Sequence, residues 1–214
     1  MTHPRILVVI GHPLPDSLNH ALAHRYAESA REAGATVDII DLATDPIPAH
    51  PTQFHELAMP SGESAPPLSP EVEDYIGRVR AADHVVFLFP QWWGTYPAAL
   101  KAWLDRVIIS GFAFNYRNKG KGWHKRLKGR TGRIVMTMDS TLSWNRMAYG
   151  DAAIKTLKTA TMWFVGIKTV GVTRVPAVRT STPGKIEAAL ERAAKQGRAD
   201  SRLTPVAREE RVPA

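Results

Sequence analysis

The sequence predicts an α/β fold: a doubly wound, five-stranded parallel sheet in the order 2-1-3-4-5 with helices on both faces. Three observations predict it. Short β-branched runs alternate with amphipathic segments from Arg5 to Gln196. The runs are apolar almost throughout, as strands covered on both faces must be. Five such runs suit this order better than the six-stranded alternative. Crossovers between parallel strands are right-handed, which distributes the helices over both faces.

Arg5–Ile10 (RILVVI) reads as the first strand and ends at Gly11. Asn19–Ala33 then sets Ala23, Tyr26, Ala27 and Ala30 at helical spacing and stops at Gly34, a residue suited to the left-handed turn that ends helices. Thr36–Asp41 (TVDIID) closes a βαβ unit of about the minimum length. Leu42–Pro70, rich in Pro, His and Ser without a period, reads as a long loop with one helical turn near Gln53–Leu57. Ser69-Pro70-Glu71 opens a helix to about Ala81, with proline in the first turn where its missing N–H costs nothing. His84–Phe89 is a third buried strand closed by Pro90, and Pro97 opens a helix through Leu100, Leu104 and Val107. Arg133–Met138 is the fourth strand, Ala152–Val165 a helix, Thr169–Val175 the fifth strand and Pro183–Gln196 a last amphipathic helix. One domain over residues 1–196 is expected. Residues 197–214, charged and Pro-containing, are expected to form a tail that is flexible or packed on a partner subunit.

Composition narrows the chemistry. The chain has 214 residues, 44% of them hydrophobic and 22% charged, and no cysteine. Disulfides, thiolate metal sites, iron–sulfur clusters and cysteine nucleophiles are thereby excluded, so redox chemistry would have to come from a bound cofactor. The first residues run straight into a strand without a signal peptide's long apolar region, and no apolar run reaches the roughly 18 to 20 residues of a membrane span. A cytoplasmic protein without membrane insertion is expected. The net charge of +8 fits an anionic partner and does not choose among nucleic acid, an acidic membrane surface and a phosphorylated cofactor.

In open α/β sheets ligands sit beyond the carboxyl ends of the strands where the winding reverses, here between strands one and three. After strand one, Gly11-His12-Pro13-Leu14-Pro15-Asp16-Ser17-Leu18-Asn19 leads into a helix N-terminus. Its free N–H groups, with Ser17 and Asn19 as side-chain donors, read as a phosphate pocket or as an ordinary βα loop with an N-cap, and no G-x-G-x-x-G is present. After strand three, Pro90-Gln91-Trp92-Trp93-Gly94-Thr95-Tyr96 can line an aromatic slot in which the backbone near Gly94 approaches a flat ligand. After strand four, Thr137-Met138-Asp139-Ser140 adds donors at the same edge.

These stretches, with Pro97-Ala98-Ala99-Leu100-Lys101-Ala102-Trp103-Leu104-Asp105-Arg106-Val107 and Gly111-Phe112-Ala113-Phe114, resemble the NAD(P)H:quinone oxidoreductase family of the flavodoxin-2 type, from about Arg5 to Val178. The resemblance implies a flavodoxin-like fold, a flavin (FMN favoured by the small size, FAD the alternative), NADH or NADPH as donor, a small-molecule electron acceptor such as a quinone, and a homodimer. Carried over, it assigns His12, Ser17, Leu18 and Asn19 to the flavin phosphate and ribityl side. It assigns Pro90, Gln91, Trp92, Trp93 and Gly94 to the ring, with Thr137, Met138, Asp139 and Ser140 along the pyrimidine edge. Thr-Met-Asp-Ser departs from the family's Thr-Thr-Gly-Gly turn, and Asp139 is expected to point away from the flavin and cap the turn. Where the family carries an active-site histidine this chain has Tyr149, a candidate proton donor, and Trp144 or Asn145 falls near the family's tyrosine.

The resemblance leaves two further readings. One is a redox-sensing regulatory flavoprotein subunit of a membrane transport system. The other is a flavodoxin-like electron carrier, disfavoured because such carriers bear an acidic face. Arg117, Lys119, Lys121, Lys125, Arg126, Lys128, Arg130 and Arg133 form a basic stretch that reads either as attraction for cofactor phosphates or as a solvated loop. It carries no nucleic-acid-binding motif, and His50 and His55 make no metal-ligand pattern.

Overall fold

Strict alternation within the strands decides which face each residue covers. In β1 (Arg5–Ile10), Leu7 and Val9 pack into one layer and Ile6, Val8 and Ile10 into the other, all of them buried. The same division recurs in β3 (His84–Pro90), where Val85, Phe87 and Phe89 face one side and Val86 and Leu88 the other. The first layer is closed by α2 (Pro70–Ala81), α3 (Ala98–Val107) and α5 (Ala152–Lys155), the second by α1 (Leu18–Glu32) and α6 (Pro183–Asp200). The structure, a computed structural model, describes residues 3–62, 64–117 and 122–207.

With β2 (Thr36–Asp41), β6 (Thr131–Thr137) and β7 (Lys168–Val175), the sheet runs in the order β2-β1-β3-β6-β7, every pair parallel. This is the 2-1-3-4-5 order once a separate antiparallel pair, β4 (Phe114–Tyr116) with β5 (Trp123–Lys125), is set aside. Three residues per strand are too few for alternation to show in a sequence. A further short helix, α4 (Leu142–Met147), stands between β6 and α5, with the Thr141 side chain accepting from the Trp144 N–H at its start.

Other expectations shift in detail. The fourth sheet strand begins at Thr131 rather than Arg133, because Thr131 N–H reaches the Asp83 carbonyl. The helix from Ala152 is α-helical only to Lys155 and widens to a π-helix over Thr156–Trp163 before a last helical turn. The expected tail from Gly197 is helical to Asp200, and Ser201 and Val206 are buried. Asp200 accounts for the difference: its carboxylate accepts from Tyr26 Oη at 2.8 Å and from Arg133 Nε at 2.6 Å, tying the helix end to α1 and β6. Residues 208–214 of that tail lie outside the described residues.

The basic stretch is not uniformly solvated. Arg130 is buried, with its guanidinium donating to the Ala82 and Arg80 carbonyls, and Arg133 pairs with Asp200 through two hydrogen bonds. Lys119 and Lys121 lie outside the described residues. No helix among the described residues is long and apolar enough to cross a membrane.

Candidate functional site

At the carboxyl edge of the sheet, where the winding reverses between β1 and β3, three loops and one residue after β7 surround a cavity of about 210 Å³. Its walls are His12, Ser17, Leu18 and Asn19 after β1, Pro90, Gln91 and Trp92 at the end of β3, Thr137, Met138 and Asp139 after β6, and Val178 after β7. Val178 has no signal in the sequence. It is brought in by the backbone pairing of Val178 N–H with the Met138 carbonyl.

The loop after β1 can sit here because Gly11 lacks a side chain. A Cβ on Gly11 would lie 2.7 Å from Leu100 Cδ2, so a larger residue would force the Leu100 side chain of α3 to shift. Ser17 caps α1, and its N–H and Oγ both lie against His20 Nδ1, at 3.3 and 2.7 Å. Nδ1 is thus an acceptor, and the His20 ring proton on Nε2 faces Asp41 Oδ1 at 3.0 Å. The Ser17 hydroxyl is therefore engaged with His20 rather than aimed at a ligand. Asn19 is buried, donates from Nδ2 to Thr137 Oγ1 at 2.9 Å, and its Oδ1 has no partner. An unpaired amide oxygen in a cavity wall can accept from a ligand's hydroxyl, while the N–H groups of the helix N-terminus beside it suit phosphate oxygens.

His12 accepts the Leu14 N–H on Nδ1 at 3.1 Å, and its ring lies edge-on to Trp92 with centroids 5.6 Å apart. Burial, reinforced by the nearby His20, holds its pKa below 6.5. The ring is neutral at pH 7 and carries its proton on Nε2, a donor without a charge.

The cavity opens onto an aromatic shelf. Trp92 and Thr95 exchange backbone hydrogen bonds of 2.8 and 3.0 Å, forming a tight turn with Trp93 and Gly94 at its tip, both at positive φ. Trp93 is fully exposed. The Tyr149 ring lies against Gly94, where an added Cβ would come within 3.5 Å of it, and Trp144 meets Tyr149 edge-on at 6.3 Å. The structure thus places Tyr149 on the shelf, with Trp144 behind it at its rim.

A chain of side-chain hydrogen bonds holds this shelf to the sheet. Ser140 Oγ donates to Gln91 Oε1 at 3.1 Å, Gln91 Nε2 to Asn145 Oδ1 at 2.5 Å, and Asn145 Nδ2 to Asp151 Oδ1 at 2.7 Å. Arg174 closes the chain by pairing with Asp151 through both carboxylate oxygens. Burial raises the Asp151 pKa, and hydrogen bonds from Arg174 and Asn145 outweigh it and hold the carboxyl below its usual range. The sequence puts Asn145 only near the family's tyrosine position and gives Asp151 and Arg174 no role, since nothing local links them to Gln91. Asp139 is exposed and accepts the Arg179 N–H at 2.9 Å, so its charge is turned to a neighbouring helical turn over Val178–Thr180. No group of three His, Cys, Asp or Glu among the described residues could hold a metal ion.

Comparison with known proteins bears on the fold and the family. A family model described as a flavodoxin-like fold matches residues 4–198. A ribosyldihydronicotinamide dehydrogenase-like protein of Penicillium crustosum is 33% identical over 152 residues, 63% of this chain and 57% of that protein. The human ribosyldihydronicotinamide dehydrogenase [quinone] is 32% identical over 128 residues, 54% of this chain and 55% of that enzyme. The chain thus spans little more than half the length of these curated relatives. A Streptococcus mutans protein of solved structure superposes with a TM-score of 0.75 at 27% identity, covering 91% of this chain and 99% of that one. An FMN-dependent NADH-azoreductase of Bacillus anthracis, solved with FMN, superposes at 0.74 with 20% identity, covering 92% and 99%.

Proposed function

The chain belongs to the family of the flavodoxin-like fold, and from that premise we propose that it is a flavin-dependent NAD(P)H oxidoreductase that reduces quinones or similar small acceptors. The observation that carries this reading is the cavity between β1 and β3, which joins an unpaired buried amide and a helix N-terminus to an open aromatic shelf. When bound, a flavin supplies two-electron chemistry: NAD(P)H gives up a hydride, and the acceptor takes that hydride and a proton.

The residues divide the ligand between them. The enclosed 210 Å³ lies below the roughly 300–1,000 Å³ of whole small-molecule sites, which suits a ribityl chain and phosphate with the ring outside on the shelf. The small size of the chain favours FMN over FAD. The first N–H groups of α1 would hold the phosphate, Asn19 Oδ1 would accept from a ribityl hydroxyl, and Gln91, fixed by Ser140 and Asn145, would lie beside the ring. Trp92 and Trp93 offer the flat surface on which ring, nicotinamide and acceptor can lie, and Gly94 allows close approach. Tyr149, a phenol beside that surface, is the candidate proton donor to the acceptor oxygen. The shelf residues Trp93, Trp144, Met147 and Tyr149 are all exposed, and a second copy of the chain would cover them.

The test is an absorbance spectrum of the purified protein, identification of the flavin released on denaturation, and anaerobic mixing with NADH or NADPH. Flavin absorbance that bleaches with either nucleotide and returns on adding a quinone is the expected result. A protein that neither carries nor takes up flavin would end the proposal. Sedimentation equilibrium at twice the monomer mass supports the dimer.

A further inference from the structure

A cavity of about 430 Å³ lies at the opposite end of the sheet from the site above. It is lined by Lys125, Lys128, Lys158, Lys168, Trp163 and Ile167, among others. Lys168 pairs with Thr131 at the start of β6 and β7, whereas the site loops follow Thr137 and Val175. Seven residues of strand at about 3.3 Å each put roughly 20 Å between the two.

Two segments build the floor. Leu127 N–H reaches the Val165 carbonyl at 2.9 Å, Lys168 N–H reaches the Arg130 carbonyl at 2.9 Å, and Trp123 Nε1 donates to the Phe164 carbonyl at 2.7 Å. Gly166, at φ +104°, lets Lys128 approach so closely that a Cβ there would lie 3.1 Å from Lys128 Cγ. Lys125 is committed: Nζ sits 3.4 Å above the Trp163 ring centroid and donates to the Trp163 carbonyl at 2.7 Å. Lys128, Lys158 and Lys168 are exposed and have no ion-pair partner among the described residues. The sequence supplies no counter-charge nearby in the chain, since neither 106–138 nor 152–186 contains an aspartate or glutamate.

We propose that this cavity binds a small phosphorylated aromatic compound, its ring along Trp163 and Ile167 and its phosphate among Lys128, Lys158 and Lys168. The volume falls within the roughly 300–1,000 Å³ range of small-molecule sites. A phosphate monoester brings about −1.5 to −2 charges at pH 7, which answers three unpaired ammonium groups better than a single carboxylate does. The exposed indole and the isoleucine favour a flat apolar body over a bare ion. This site is independent of whatever binds at the carboxyl edge.

Isothermal titration calorimetry with 1-naphthyl phosphate tests it. The expected result is one saturable site, weakened by added salt and weakened about tenfold or more in the Lys158→Gln/Lys168→Gln double variant, with Lys195→Gln unchanged as a control for general surface charge. Binding in Trp93→Ala should equal that of the parent, because Trp93 belongs to the other edge. Absence of saturable binding up to ~1 mM overturns the proposal. So does equal affinity in the double variant, loss of binding in Trp93→Ala, or competition by inorganic phosphate at the same concentration as the aromatic probe.

Discussion

Four of the described residues other than glycine adopt left-handed backbone: Asp16, Trp93, Asp151 and Ala177. They follow β1, β3, α4 and β7 in turn, and all sit in loops at the carboxyl edge of the sheet. Aspartate tolerates this region, but for Trp93 it costs about 1–2 kcal/mol, and its wholly exposed indole recovers nothing within the chain. Such strain persists where a ligand makes use of it. Trp93→Gly removes the strain and loosens the unfolded chain by about 0.5–1 kcal/mol, so stability should stay level or rise slightly. Flavin affinity should fall about tenfold or more with the lost ring surface. Urea denaturation alongside a flavin fluorescence titration measures both, and a large drop in stability with undiminished flavin binding would refute this account of Trp93.

At the scale of elements, the closest packing is between α1 and α6. Gly197 lies against the α1 backbone, and a Cβ there would run into the Tyr26 carbonyl and come within 3.1 Å of Ala30 N. Backbone cannot step aside as a side chain can, so Gly197→Ala should cost about 1–3 kcal/mol, typical of overpacking. A lower urea midpoint with an unchanged slope is the expected reading. This contact also marks the boundary of what the sequence discloses. The five sheet strands, their order and the helices opened by Pro70, Pro97 and Pro183 were legible because each rests on a local pattern: an apolar run, a helical period, a proline in the first turn. The three loops lining the cavity were legible for the same reason, as each follows a recognisable strand. Gly197 looks like a helix terminator and is a helix-packing residue, because its partners lie about 170 positions away in α1. The pair β4 and β5 is too short to carry a pattern, and the π-helical register of Thr156–Trp163 leaves the residue types of an ordinary helix in place. The chain from Ser140 through Gln91 and Asn145 to Asp151 and Arg174 joins four segments and exists only once they are folded.

For the whole molecule, the carboxylate of Asp200 acts as a clamp. It accepts from Tyr26 of α1 and Arg133 of β6 and lies 3.2 Å from His84 Nε2 of β3, so one buried group at the end of α6 holds helix layer to sheet. Burial alone would raise its pKa, but the hydrogen bonds and charge of Arg133, with the His84 ring 3.2 Å away, reverse this and hold it far below the usual carboxylate range. Asp151 and Asp38 are lowered as well, Asp151 by Arg174 and Asn145 against its burial, Asp38 chiefly by its hydrogen bond from Arg78. A depressed carboxyl contributes stability that is complete above its unfolded pKa of about 4 and is lost as pH falls through the folded value. His12, held below 6.5 chiefly by burial, adds a shallower loss that begins as pH falls past 6.5. At the other limit Tyr26, raised well above 10 chiefly by burial and next by the Asp200 charge, contributes stability present below about pH 10 and lost above it. The melting temperature should therefore be nearly flat from about pH 7 to 9, sag gently towards pH 5 and drop steeply below pH 4. Asp200→Asn separates the clamp from the rest. The amide cannot titrate and answers Arg133 poorly, so the variant should melt lower at pH 7 and lose less between pH 4 and 2 than the parent. Parallel acid limbs in the two proteins would assign the acid sensitivity to other carboxylates and leave Asp200 a packing residue.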